Sequence, residues 1–168
     1  MLYLKEVISS GTCEVNIDYY VPFTINIDSK KMNARRICWR TGNLKKSLIE
    51  ISIDEESGIV QEITLVSVDK VFSIDTKLES LNKCERGVPA FKVSGSIKNA
   101  LSDYIKDFNV YLSEEFIMVK LDESTDIYRY IKLERVLFGI NKEDRLVSII
   151  IRNLSDNDYN ELKASFKL

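Results

Sequence analysis

Residues 47–68 read SLIEISIDEESGIVQEITLVSV, two apolar alternating runs with the polar segment DEESG between them. In the first run Ile49, Ile51 and Ile53 share one face, and this period of two is typical of a strand with one buried side. Two such runs around a short polar segment predict a β-hairpin. We expect Gly58 to take positive φ in the turn, because glycine has no Cβ to clash with the backbone.

A related pattern returns near the end of the chain, where residues 136–154 read VLFGINKEDRLVSIIIRNL. An offset of 87 residues aligns Asp54 with Asn141 but gives Gly58 no counterpart. We therefore expect the second turn to close differently. Two interpretations stay open: ordinary hairpins resemble one another, or one strand-turn-strand unit has been duplicated. In either case both hairpins should lie in one sheet or in two packed sheets.

Strand patterns cover most of the remaining chain, and two segments have helical spacing. Apolar residues at helical spacing predict a helix over residues 96–106, with a stripe that either covers a sheet or binds a partner. A final helix should follow Ser155 as N-cap, with Asp158 in the capping-box position. Further strands are predicted at residues 2–9, 13–20, 24–28, 37–41, 108–112, 116–121, 128–140 and 146–153.

The fold class expected from these patterns is α+β, a predominantly antiparallel β-sheet with one or two covering helices and, under the second interpretation, an internal duplication. We expect residues 146–153 to form a central strand, because both of its faces are apolar. A chain of 168 residues is the size of a single globular domain. If the unit is duplicated, the halves are 1–86 and 87–168, divided at the breaker RGVP.

Several kinds of chemistry lack the residues they need. The chain has no histidine, which removes His-activated nucleophiles, His-ligated metals and the usual general base. Its three cysteines are far apart, and its six glycines form no phosphate-binding loop. No EF-hand spacing occurs either. We therefore expect no enzyme activity, no metal and no cofactor, with small-molecule carboxylate chemistry as the enzyme class left open.

Charge and hydropathy bear on the location of the protein. A net charge of −2 gives no long-range attraction to nucleic acid or to anionic lipid. No apolar run approaches the roughly 20 residues of a membrane helix. The N-terminal residues MLYLKEVISS have an early charged pair and no continuous apolar core, so we expect no signal peptide. A cytoplasmic protein without membrane association is the expectation.

Residues 30–46 carry seven basic residues, no acidic one, and the only tryptophan, Trp39. Basic residues interleaved with an aromatic could bind nucleic acid. The same residues also alternate as they would in an ordinary strand with one charged, solvated face. A nucleic-acid-binding module is thus the alternative function, although the rest of the chain adds no positive charge in its support.

Acidic residues gather at the predicted turns. Turn carboxylates are commonly just solvated, but they could also attract a basic protein partner and raise its association rate. The candidate partner-binding residues are Asp54, Glu55, Glu56, Glu114, Glu115, Asp122, Glu123 and Asp126.

The strings SLIEISIDEESGIVQEITL (47–65), RVLFGINKEDRLVSIIIRNLS (135–155) and NLSDNDYNEL (153–162) resemble segments of small bacterial immunity proteins of polymorphic and contact-dependent toxin systems. The resemblance covers under half of the chain and carries over no functional residue. It implies a non-enzymatic α+β protein that binds a cognate toxin domain, which the acidic turns suggest is basic, and neutralises it by protein–protein interaction.

Overall fold

The computed structural model describes residues 1–30, 35–78, 83–93 and 101–168. This part of the chain is mostly β-sheet, with one helix, α1 (Asp156–Phe166), at its C-terminal end. The strands are β1 (Leu4–Ile8), β2 (Thr12–Asn16), β3 (Phe23–Asp28), β4 (Arg36–Gly42), β5 (Leu48–Asp54), β6 (Val60–Ser67), β7 (Val71–Ser73), β8 (Cys84–Arg86), β9 (Val88–Phe91), β10 (Leu101–Ile105), β11 (Asn109–Leu112), β12 (Phe116–Lys120), β13 (Arg129–Leu133), β14 (Val136–Ile140) and β15 (Leu146–Arg152).

The first sheet has six strands in the order β10-β4-β5-β6-β3-β2. The predicted hairpin lies at its centre, where β5 and β6 pair antiparallel with Ile51 opposite Ile63. Both isoleucines are fully buried, because the alternating pattern turns one side of each strand toward the core. Gly58 has a φ of 79°. The hairpin and its left-handed glycine are therefore confirmed.

The second sheet has seven strands in the order β7-β11-β12-β15-β14-β13-β8. Its middle strand is β15, where every residue except Arg152 is buried. A strand with apolar side chains on both faces needs cover on both, which a central position supplies. The prediction of a central strand here is confirmed, and the strands predicted at 108–112 and 116–121 pair with each other as β11 and β12.

The two sheets share one arrangement of strands. In each sheet an edge strand pairs in parallel with its neighbour, β10 with β4 in the first and β8 with β13 in the second. Four antiparallel pairs then follow across each sheet, in the order β4-β5-β6-β3-β2 in the first and β13-β14-β15-β12-β11 in the second. β7 adds a further parallel strand to the second sheet only. Each sheet also takes this parallel edge strand from the other half of the chain: β10 of the first sheet follows Gly87 in sequence, and β8 of the second sheet precedes it. The sheets are thus mixed, although antiparallel pairs dominate.

A two-stranded ribbon, β1 with β9, connects the turn of the β5–β6 hairpin with the turn of the β14–β15 hairpin. The Phe91 N–H donates to the Gly58 carbonyl oxygen, and the Leu4 N–H donates to the Asp144 carbonyl oxygen, each at 2.7 Å. Leu4 and Phe91 lie opposite each other in the ribbon. Both are buried in one apolar core together with residues of both sheets. The ribbon therefore joins the two hairpins on one side of that core.

Helix α1 begins as the sequence predicts. Ser155 is its N-cap and forms a capping box with Asp158. Leu162 is fully buried in the common core, and Tyr159 and Phe166 pack against that core on the same side of the helix. The Arg135 guanidinium donates to the Asp158 carboxylate at 2.8 Å, which ties the helix to the second sheet.

The helix predicted over residues 96–106 is wrong for its described part. Residues 101–105 form β10, which pairs in parallel with β4, and residues 96–100 lie outside the described residues. Burial alternates along the strand, so Tyr104 is half-buried while Leu101 and Ile105 are exposed. A helical stripe would have turned all three toward the core. Pairing with an open strand edge overrides the local preference here.

The single bent strand predicted over residues 128–140 is also wrong. The segment forms a hairpin of β13 and β14, which turns at Glu134, a residue with a φ of 51°. No glycine marks this turn, so the composition does not reveal it. Gly139 lies at a bulge beside β15. A Cβ on Gly139 would lie 2.1 Å from the Ser148 Oγ, so a larger residue there would force the serine side chain to move.

Candidate partner-binding surface

The turn of the first hairpin uses its aspartate internally. Asp54 is fully buried, and its Oδ1 accepts hydrogen bonds from the Ser57 N–H at 2.8 Å and the Ser57 hydroxyl at 2.7 Å. Glu55 is exposed and lies 3.8 Å from an Arg35 nitrogen, and Glu56 is exposed. The prediction of Asp54 as a surface contact is therefore corrected: this carboxylate holds the turn together.

The acidic loop after β12 contains a second buried carboxylate. The Asp122 carboxylate lies 2.9 Å from the Lys106 ammonium, and it accepts a 2.6 Å hydrogen bond from the Ser124 hydroxyl. Burial acts to raise the pKa of Asp122, but these hydrogen bonds outweigh it and hold the pKa below its usual range. Asp122 is thus an internal ion-pair partner, and its prediction as a surface contact is corrected as well.

The other predicted carboxylates do not converge on one patch. The Glu123 side chain accepts from Asn109 at 3.0 Å and from the Tyr111 hydroxyl at 3.1 Å. Asp126 is exposed on the same loop. Glu114 and Glu115 are exposed at the opposite end of β12. The carboxylates therefore form separate groups, of which Glu114 and Glu115 lie in a distinct cleft described below.

The tryptophan and two arginines of the basic segment contact other residues of the protein. Trp39 is buried and stacks on Tyr104, with ring centroids 6.2 Å apart. The Arg40 guanidinium binds Asp103 through two hydrogen bonds of 2.7 and 3.0 Å. Arg36 lies 3.4 Å from the Glu62 carboxylate. The indole is therefore unavailable for base stacking, and these two arginines face acidic neighbours within the sheet.

A cleft that the sequence does not predict lies between three separate segments of the chain. It has a volume of about 690 Å³ and is lined by the corner between β2 and β3, by the end of β6 through β7, and by the last residues of α1. Five of the nine large apolar or aromatic side chains exposed in the described part of the chain line it. They are Tyr19, Tyr20, Val66, Phe72 and Leu168.

Local hydrogen bonds shape the corner that carries two of the aromatic side chains of this cleft. Asp18 accepts hydrogen bonds from the backbone N–H groups of Tyr20 and Val21, at 2.7 and 2.9 Å, and so fixes the corner. Tyr19 and Tyr20 then meet edge to face, with ring centroids 5.2 Å apart. Tyr20 is nevertheless 87% exposed. An aromatic ring that contacts so little of its own protein is available for contact with a partner.

A second cleft, of about 440 Å³, begins at Ser73, the residue of β7 that follows the last one lining the first cleft. Its lining includes Asp75, Glu114 and Glu115, and its one basic residue is Lys77. Tyr159 of α1 also lines it, whereas the last residues of the same helix line the first cleft. The two clefts thus lie end to end between β7 and α1, and we name them together the β7–α1 groove. One end is aromatic and the other is acidic.

One sequence signal could have indicated the aromatic end. Residues 13–20 alternate as a strand, and this pattern places Tyr19 on the buried side. Two adjacent tyrosines before Pro22 cannot both follow the alternation, and the corner they occupy turns both toward solvent. The remaining lining residues come from 66–72, between the end of β6 and β7, and from 165–168 at the end of α1. Their proximity is a property of the tertiary fold alone.

Two findings bear on metal binding and on cysteine chemistry in the described residues. Among them there is no group of three or more metal-ligating side chains. Burial, followed by the charge and hydrogen bond of Glu134, raises the pKa of the Cys13 thiol to about 12. A thiol that stays protonated is a poor nucleophile. Within the same residues, no helix has the length and apolar character needed to cross a membrane.

A scan against protein-family models finds no match to this chain. A search of curated proteins likewise finds no relative.

Proposed function

We propose that this chain is a non-enzymatic binding protein of the immunity type, acting in the cytoplasm, and that it neutralises a cognate bacterial toxin domain by direct contact. The observation that carries the proposal is the gathering of exposed aromatic side chains in the β7–α1 groove. Soluble proteins rarely leave such side chains together in water unless they meet a partner there. Tyrosine and phenylalanine are also enriched where protein interfaces concentrate their binding energy.

Charge supports a basic partner. Three carboxylates, Asp75, Glu114 and Glu115, line the acidic end of the groove beside the single Lys77. Toxin domains that cleave nucleic acids need positive charge to bind them, so an acidic binding surface suits such a target. Aromatic side chains would then supply most of the affinity, and carboxylates would raise the association rate.

Co-expression tests this function. We expect a neighbouring gene to encode a large protein with a toxin domain at its C-terminal end. Expression of that domain alone should stop growth, and co-expression of this chain should restore it and yield a co-purifying complex. Tyr20→Ala should weaken the complex by at least about thirtyfold, since a central aromatic contact is worth about 2 kcal/mol or more. Tyr3→Ala, which removes an exposed tyrosine outside the groove, is the matched control.

Two results would count against this function. The first is continued arrest of growth although the chain is present and folded. The second is equal loss of binding in Tyr20→Ala and Tyr3→Ala, which would remove the groove as the interface.

We also propose that the two sheets derive from one duplicated unit. Their shared strand order and the ribbon that contacts both hairpin turns support this interpretation. In a set of homologous sequences, the two halves should align with each other at an offset close to 87 residues. Homologues that lack this similarity throughout would favour independent hairpins instead.

A further inference from the structure

β7 is the outer strand of the second sheet, and its backbone has one edge without a described strand beside it. The Lys70 carbonyl oxygen accepts from the Val110 N–H at 3.3 Å, and the Ile74 N–H donates to the Leu112 carbonyl oxygen at 2.9 Å. Because neighbouring residues of a strand point to opposite edges, Val71 and Ser73 direct their N–H and C=O groups away from β11.

Both residues line the β7–α1 groove, Val71 at its aromatic end and Ser73 at its acidic end. An unpaired strand edge is a template for another strand unless a protein covers or charges it. Here the edge strand itself, Val71–Ser73, has no charged residue and carries the exposed Phe72. The groove therefore combines an unpaired strand edge with aromatic side chains at one end and carboxylates at the other.

We propose that the β7–α1 groove binds an extended, basic segment of the partner protein by adding it as an eighth strand to the second sheet, beside β7. The backbone of the segment pairs with Val71 and Ser73. Its lysine or arginine side chains meet Glu114 and Glu115, and its apolar side chains contact the aromatic end. This inference rests on the proposed function for the nature of the partner, but the recognition mode follows from the groove.

Three synthetic peptides test this mode on the intact chain without any toxin. The first is a capped basic strand of alternating composition, Lys-Val-Thr-Val repeated twice, and the second replaces each lysine by glutamate. The third is the basic peptide N-methylated at every residue, which leaves no backbone N–H to donate to a strand edge. Titration followed by NMR should give a dissociation constant for the basic peptide at least about tenfold below those of the other two.

Two variants locate the binding. Ser73→Pro removes an outward N–H but no hydrogen bond to β11, so the chain should fold and lose the basic peptide, whereas Ser73→Ala should bind as before. In the unaltered chain, amide exchange at Val71 and Ser73 should slow when the basic peptide is bound. That measurement decides the matter if Ser73→Pro does not fold.

Equal affinity for the basic and N-methylated peptides, no binding of the basic peptide at millimolar concentration, or unchanged exchange at Val71 and Ser73 would overturn the strand-addition mode. Its failure is distinguishable from failure of the proposed function. A chain that protects cells from the toxin but ignores the peptides keeps its function and loses this mode. A chain that binds the peptides but gives no protection keeps the mode and loses the function.

Discussion

The turns of the two hairpins perform the same task with different residues. In each, an Asp or Asn side chain opens the turn: Asp54 accepts from the Ser57 N–H at 2.8 Å, and Asn141 accepts from the Arg145 N–H at 2.8 Å. In each, a residue with positive φ closes it and offers its carbonyl oxygen to the ribbon. That residue is Gly58 in the first turn and Asp144 in the second.

The difference lies in how closely the ribbon approaches. A Cβ on Gly58 would lie 2.0 Å from the Phe91 carbonyl oxygen, so only glycine fits there. Asp144 has a side chain at the corresponding place, and this side chain reaches Arg129 at 2.7 Å. The first turn is also longer, since Asp54 N–H donates to the Ile59 carbonyl, whereas Asn141 N–H donates to that of Arg145. Glycine is thus required by the approach of the ribbon rather than by positive φ alone.

Gly58→Val should have the largest effect. Valine adds the cost of positive φ to a steric clash with Phe91, and together they should lower the free energy of unfolding by at least about 3 kcal/mol. Denaturation with urea measures the loss. Asp144→Val is the matched control, because it places the same residue at positive φ without the contact to Phe91. Unchanged stability of Gly58→Val, or equal losses in both variants, would contradict the role of the ribbon.

Predictions that depend on short-range interactions or on hydrophobic pattern are confirmed, whereas a prediction that depends on long-range strand pairing is wrong. Gly58, the capping box at Ser155 and the central β15 are confirmed because each depends on neighbours in sequence or on apolar side chains alone. β10 is missed because its state is decided by pairing with β4, from a distant part of the chain.

The site is predicted less well than the fold for the same reason. In the sequence, Asp54 has the features of an ordinary solvated turn residue. Only the hydrogen-bond donors around its side chain in the folded chain show why it is buried. The β7–α1 groove combines Tyr20, Phe72 and Glu114 from separate segments. Of the predicted partner-binding residues, only Glu114 and Glu115 line it. Side chains that meet through tertiary packing leave no periodic signal in the sequence.

Acid should have an intermediate effect, which acts through the buried Asp122 beside the second sheet. The pKa of Asp122 lies below its ordinary value of 3.8 in the folded chain, so the unfolded chain binds more protons as the pH falls below about 4. The stability that Asp122 contributes is therefore complete above that pH and is lost below it. The corresponding loop of the first sheet, after β3, has the buried Ser29 instead.

Urea unfolding between pH 2 and pH 7 measures this contribution. Asp122→Asn should be less stable than the unaltered chain at neutral pH, and the difference should shrink as the solution is acidified. Ser124→Ala keeps the carboxylate but removes one hydrogen-bond donor, so its pH dependence should lie between the two. Parallel curves for Asp122→Asn and the unaltered chain would show that the ion pair with Lys106 does not contribute.

Asp144→Gly should have the smallest effect, because its consequences oppose one another. Glycine removes the cost of positive φ at this position, about 1 kcal/mol. It also removes the ion pair with Arg129, and that pair is solvent-exposed and so worth at most about 1 kcal/mol. Greater freedom of the unfolded chain subtracts a similar amount. The free energy of unfolding should therefore change by less than about 1 kcal/mol.

Asp144→Asn separates these contributions, because asparagine tolerates positive φ nearly as well as aspartate but carries no charge. Its loss of stability, measured at low and high salt, gives the value of the ion pair with Arg129. A loss above about 2 kcal/mol in Asp144→Gly would mean that the second turn, like the first, depends on the identity of its left-handed residue. The two turns would then be equally constrained, and the approach of Phe91 to Gly58 would not be what sets the first turn apart.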